Sequence, residues 1–98
     1  MKILKRKKIK KLESFLEKLD TLNYPKGYLL HHKDKIECLR WLLSYYKGQI
    51  STTPEEFLNM LITPNEIQKI KNDKNCGWII DWIFVLYHWV YNKKIIGF

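Results

Sequence analysis

The sequence is short of the residues that most small proteins use for chemistry or for cross-linking. Two cysteines, Cys38 and Cys76, are too few for the disulfide framework of a small secreted domain, and no Cys-x-x-Cys pair or spaced His/Cys quartet is present to hold zinc. Both are expected to be free thiols in a reducing, cytoplasmic compartment, with no metal and no other cofactor bound. A signal peptide is not expected at the front of the chain. Three histidines, no glycine-rich phosphate loop, no nucleophile elbow and no telling pair of acids argue against an enzyme and leave no catalytic residue to name. His31 and His32 are adjacent, which keeps them off one ligand face, and a surface position is expected for both. The most apolar segment, from about Trp78 to Tyr91, is shorter than the ~20 residues needed to span a bilayer and contains Asp81, so a transmembrane segment is not expected.

Acidic side chains are missing from one place in particular. Lys2, Lys5, Arg6, Lys7, Lys8, Lys10 and Lys11 are seven cations with no acid among the first eleven residues. Removing those seven from the 18 cations leaves eleven against ten acids, so the formal charge of +8 belongs largely to the N-terminus. A basic arm of this kind neutralises phosphates and releases counterions, which attracts nucleic acid or anionic surfaces without reading sequence. The alternative is a solvated helix start that serves only solubility. Residues 1–11 are therefore set apart as a basic arm or helix start, and 12–98 as a single helical domain.

Apolar residues are plentiful. They make up 46% of the chain, aromatics 14%, enough to fold one compact domain of this length. Ile9, Leu12, Phe15, Leu16, Leu19 and Leu22 recur at three- and four-residue steps and predict an amphipathic helix, ended by Asn23-Tyr24-Pro25-Lys26-Gly27. Asp34 followed by Glu37 reads as an aspartate capping box opening a second helix. Ile36, Leu39, Leu42, Leu43 and Tyr46 would form the core stripe of that helix, widened by Cys38, Trp41 and Tyr45. Gly48 suits the left-handed position after its end.

Thr53-Pro54-Glu55-Glu56 and Thr63-Pro64-Asn65-Glu66 are two helix starts ten residues apart, each with Thr at the cap, Pro at the first helical position and Glu at the third. They predict two short helices, about 54–61 and 64–72. The first would bury Phe57, Leu58 and Leu61, and the second Ile67 and Ile70. A hydrophobic helix from about Trp78 to Tyr91 would close an all-α bundle of about five helices. A helix apolar on nearly every side is hard to cover in so small a domain, and its open side would serve a homodimer or a partner. Trp78, Trp82 and Trp89 are the candidate anchors of such an interface.

The segment from Gly48-Gln49-Ile50-Ser51 through the paired starts resembles the helix-turn-helix of many DNA-binding regulators, over about a quarter of the chain. That resemblance makes Ile62-Thr63 the turn and Ile67 the anchor of the second helix. It also implies that Asn65, Gln68, Lys69 and Asn72 face outward, where such side chains meet base edges and phosphates in a major groove. The turn here lacks the glycine usual in those families. Phe57-Leu58-Asn59-Met60-Leu61-Ile62-Thr63-Pro64-Asn65-Glu66 also resembles the stretch before the DNA-reading motif of Trp repressor-like proteins, which gives Thr63 a different role. The aromatic helix then stands where those proteins have their reading helices.

Together these features point to a small nucleic-acid-binding protein, DNA before RNA, with Lys5, Arg6, Lys7, Lys8, Lys10 and Lys11 on phosphates. The alternatives are two capped helices that simply pack, or a small helical inhibitor or immunity-type protein that binds another protein. Two further routes rank lower: RNA stacking on Trp41, Tyr45 or Tyr46, and membrane attachment by the arm.

Overall fold

The computed structural model describes residues 2–21, 27–72, 79–96 and 98, with positions 2–5, 21 and 29 as backbone. It is all-α: among the described residues no strand occurs. The helices are α1 (Lys2–Thr21), α2 (Tyr28–His31), α3 (Lys33–Tyr46), α4 (Pro54–Leu61), α5 (Pro64–Asn72) and α6 (Asp81–Asn92), five of them longer than a single turn. They gather into two compact units, Met1–Ser51 and Thr52–Phe98.

In the first unit α1 packs on α3. Leu12 and Leu19, two turns apart on α1, are buried against the α3 stripe of Cys38, Leu39, Leu42 and Tyr46, and Ile9, Phe15 and Leu16 line its margins. Leu22 and most of the expected terminating segment lie outside the described residues. Gly27, at φ 89°, opens α2, a single turn that the periodicity does not reveal. This turn runs almost directly into α3 and changes how α3 begins. His32, not Asp34, is the N-cap, without a side-chain cap bond, and Asp34 sits inside the first turn, so the aspartate capping box does not form. Asp34 there still complements the positive end of the helix. His32 is buried rather than at the surface, its ring 4.4 Å from Tyr28 and 4.9 Å from the exposed His31.

Gly48 ends α3 as expected. At φ 82° it donates its N–H to Tyr45 O at 3.0 Å, while Gln49 N donates to Ser44 O at 3.0 Å. These two bonds are the Schellman pair, and they need the left-handed residue that glycine supplies at least cost. Lys47 Nζ lies 3.9 Å from Glu13 Oε2 across α1 and α3; both side chains are largely solvated, so the pair contributes little.

In the second unit α4 packs on α6. Leu58 is fully buried and Phe57 half-buried, its ring 6.0 Å from that of Trp82. Leu61, expected inside, is 38% exposed, and Ile62, expected in the turn, is buried in its place. Ile62 leaves the helix in an extended conformation, φ −136° and ψ 151°, which carries its side chain inward and leaves Leu61 on the flank.

The last helix begins at Asp81 rather than near Trp78: Ile80, its N-cap, is extended (φ −63°, ψ 134°), and Asp81 takes the first turn, where a carboxylate complements the helix end. Ile83, Val85, Leu86, Tyr87, Trp89 and Val90 are buried, so one helix provides most of this core. The tail residues Ile95, Ile96 and Phe98 form no strand. Lys93 ends α6 in the left-handed region at φ 55° and donates its Nζ to Val90 O at 2.9 Å. Just before it, Asn92 Nδ2 lies 2.8 Å from Nδ1 of His88, one turn earlier.

Two titrating groups in these cores make checkable statements. Burial pushes the Cys38 thiol from 9.0 up to about 12. Because the folded value is raised, its contribution to stability is complete below pH 9 and is lost as pH rises towards 12. In a Cys76→Ser variant at pH 8, Cys38 should react with a disulfide reagent far more slowly in the native state than in denaturant, and equal rates would contradict its burial. Burial holds His88 below its ordinary 6.5, favouring the neutral ring. Its contribution is present above 6.5 and lost as pH falls through the lower folded value. His88→Gln should therefore flatten the acid side of the stability profile, read from denaturant midpoints between about pH 7 and 5.

Candidate nucleic-acid interface

Each unit carries one cluster of outward polar side chains, and helical spacing explains both. On α1 the buried stripe of Leu12 and Leu19 leaves Arg6, Lys7 and Lys10 on the far side of the cylinder and Lys11 on its flank, all exposed. Lys8 departs from that set. It falls beside the apolar stripe, half-buried, with Nζ 5.1 Å from the centroid of the Tyr46 ring, so its stem packs and its charge meets the aromatic face. Lys5 belongs to α1, but its side chain lies outside the described ones. The acids of α1 follow the cations: Glu13, Glu17 and Asp20, with Leu16, Arg40 and Leu43, line an open groove of about 280 Å³ between α1 and α3. The net positive charge is thus concentrated in the first half of the helix, Lys18 being the one cation among the acids of the second.

On α5 the inward side is Ile67 and Ile70, both buried. At 3.6 residues per turn, Gln68, Asn72, Asn65 and Lys69 fall within an arc of about 100° on the outward side, and all four are exposed. The start of α5 is set by a reciprocal capping box. Thr63 Oγ1 accepts from Glu66 N at 3.2 Å, and Thr63 N donates to Glu66 Oε1 at 2.9 Å. The Thr63 backbone N–H, and then its hydroxyl, hold the Glu66 carboxyl below its ordinary value. α4 starts with the simpler cap, Thr53 Oγ1 accepting from Glu56 N at 3.1 Å. Pro54 and Pro64 occupy the first helical positions, where a missing N–H costs nothing. Two residues, Ile62 and Thr63, separate the pair.

The tryptophans divide differently. Trp89 is 2% exposed and adds its area to the core of its own unit rather than to an outer face. Trp82 is half-buried against Phe57, and Trp78 lies outside the described residues. Among the described residues the most exposed apolar side chains in this unit are instead Met60 at 78% and Ile80 at 59%, which the helical pattern does not single out. Asp81 is exposed. His88 meets Phe84, ring centroids 4.3 Å apart, and Tyr87 at 5.2 Å. Lys71 and Tyr91, neither of them marked by a motif, are brought together with Nζ 4.7 Å from the ring centroid. Among the described residues no group of three His, Cys, Asp or Glu side chains could hold a metal ion, and no helix is long and apolar enough to cross a membrane.

No protein-family model, curated protein or solved structure matches the chain.

Since each threonine hydroxyl satisfies one N–H at a helix start, Thr63→Ala and Thr53→Ala should each cost about 1 kcal/mol of stability, while the bond from the Thr63 main-chain N–H to Glu66 survives in the alanine variant. Below the ordinary Glu66 value of 4.5 the box should weaken as the carboxylate is protonated, since a depressed folded value is a contribution lost on acidification. Denaturant midpoints of the two alanine variants at pH 7 would check the caps, and those of Glu66→Gln at pH 7 and pH 4 the carboxylate; a Thr63→Ala loss of zero, or a Glu66→Gln effect unchanged between the two pH values, would contradict the box.

Proposed function

We propose that the chain is a small nucleic-acid-binding protein, a DNA-binding regulator of helix-turn-helix type, in which α5 reads the major groove and the outward cations of α1 hold phosphates. One observation carries this reading: Asn65, Gln68, Lys69 and Asn72 form a single exposed stripe on a short capped helix whose other side is anchored by Ile67 and Ile70. Amide side chains of this kind pair with the paired acceptor and donor of adenine, and lysine with the acceptors of guanine or with phosphate. Nine residues make a helix of about 13 Å, comparable to the ~12 Å width of the major groove. Arg6, Lys7, Lys10 and Lys11 supply the sequence-independent attraction. The reading places the protein where duplex DNA is and assigns it no catalysis.

A second reading rests on Met60 and Ile80, two exposed apolar side chains of the second unit, with half-buried Trp82 on the helix that Ile80 caps. These would suit a protein partner or a second copy of the chain.

Fluorescence anisotropy with a pool of randomised duplexes separates the two. The full chain should bind with an affinity that falls steeply with salt. Replacing Arg6, Lys7, Lys10 and Lys11 together by Gln should reduce the salt slope by up to about 0.9 for each phosphate that is no longer neutralised. Asn65→Ala or Gln68→Ala should leave the slope and cost about 1–3 kcal/mol of discrimination at one base pair of the selected site. Duplex binding that is absent at low salt would sink the first reading, and a loss of activity on Met60→Ser or Ile80→Ser with Lys69→Ala harmless would favour the second.

A further inference from the structure

Beside the stripe on α5 lies a pairing that its readout does not use. Lys71 falls on the flank of α5 between buried Ile67 and exposed Gln68 and Asn72. Its ammonium sits 4.7 Å from the centroid of Tyr91, a ring that belongs to the last turn of α6 and is 43% exposed. Three residues on, past the left-handed turn at Lys93, Lys94 is also exposed. A lysine on a bare helix flank samples many rotamers, and ordering it on a ligand costs the entropy of a four-carbon stem. An aromatic face held by another helix removes much of that freedom beforehand, while leaving the outer N–H donors of the ammonium free to bond an anion.

We propose that Lys71, held over the exposed Tyr91 ring, and Lys94, three residues past that ring in the chain, form a phosphate-binding site for the DNA backbone at the edge of the α5 stripe, with Tyr91 as the residue that positions Lys71. The inference rests on the DNA-binding reading and goes beyond it by adding a contact outside the α5 stripe and outside the basic start of α1. It carries no sequence information: a phosphodiester at this edge fixes the register at which Gln68 and Asn72 meet the bases. The site joins the ends of α5 and α6, so the core helix of the unit takes part in binding through its last turn.

The full chain is titrated with a labelled duplex of mixed sequence over a range of salt concentrations. Lys71→Gln and Lys94→Gln should each weaken binding several-fold on all sequences alike and reduce the salt slope by about one. Tyr91→Phe keeps the ring and should match the parent. Tyr91→Leu removes the ring but not the charge, so affinity should fall several-fold while the slope is kept. NMR supplies a readout that a merely structural role would not move. The Lys71 side-chain methylene next to the ammonium should be shifted upfield by the ring in the free protein and in Tyr91→Phe, return to an ordinary position in Tyr91→Leu, and move when duplex is added.

If the parent binds duplex and Lys71→Gln has the same affinity and slope, this site is overturned and the α5 reading stands. If Tyr91→Phe weakens binding as much as Tyr91→Leu, the positioning role of the ring is overturned. If the parent fails to bind duplex even at low salt, both the site and the reading beneath it fall.

Discussion

The helices α1 and α5 each have one apolar stripe, and the burial of that stripe dictates where their polar and charged side chains go. On α1, turning Leu12 and Leu19 towards α3 leaves Arg6, Lys7, Lys10 and Lys11 no place but the outer surface. On α5, turning Ile67 and Ile70 inward does the same for Asn65, Gln68, Lys69 and Asn72. At about 25 cal/mol per Å² of apolar surface removed from water, a buried leucine outweighs any exposed ion pair, and the polar faces follow from the packing. Lys8 illustrates the rule from the other side. Placed beside the stripe, it is kept there by laying its stem along the core and its charge over Tyr46.

Short helices need more than a stripe. α4 has eight residues and α5 nine, lengths at which an isolated helix would not persist in water. Their Thr-Pro starts compensate by satisfying the first orphan N–H groups and by presetting the first dihedral angle, and α5 gains a second bond from Glu66. The outcome is a firm edge in an otherwise small core: the stripe on α5 is displayed by a helix whose beginning is locked and whose end is joined to α6 through Lys71 and Tyr91. On the proposed DNA-binding reading, both features would favour binding, because rigid donors lose less on meeting a polyanion than mobile ones.

Much of this was legible from residue spacing. The starts at Thr53 and Thr63, the inward Ile67 and Ile70, the outward Asn65, Gln68, Lys69 and Asn72 and the glycine at the end of α3 follow from short-range rules, since caps, Pro at the first turn and three-four periodicity act within one or two turns. What was not legible depended on neighbours that spacing does not reveal. His32 reads as a surface residue and is buried, because the turn of α2 brings the Tyr28 ring against it at the start of α3. Leu61 and Ile62 exchange roles because an extended cap, not the helix period, aims the second of them. Trp89 has the composition of an interface anchor and the position of a core residue, and periodicity alone does not distinguish the two on a helix apolar nearly all round.

The order of residues alone determined that the chain is helical, where its two short helices start and that its positive charge is gathered at the front, because propensity, capping and net charge are local or additive properties. Tertiary structure decided which tryptophan is core, which lysines of α1 face out, and that Lys71 meets Tyr91 on another helix. Those outcomes turn on which surfaces come within a few ångströms of each other, and a contact between α5 and α6 exists only once both helices have packed.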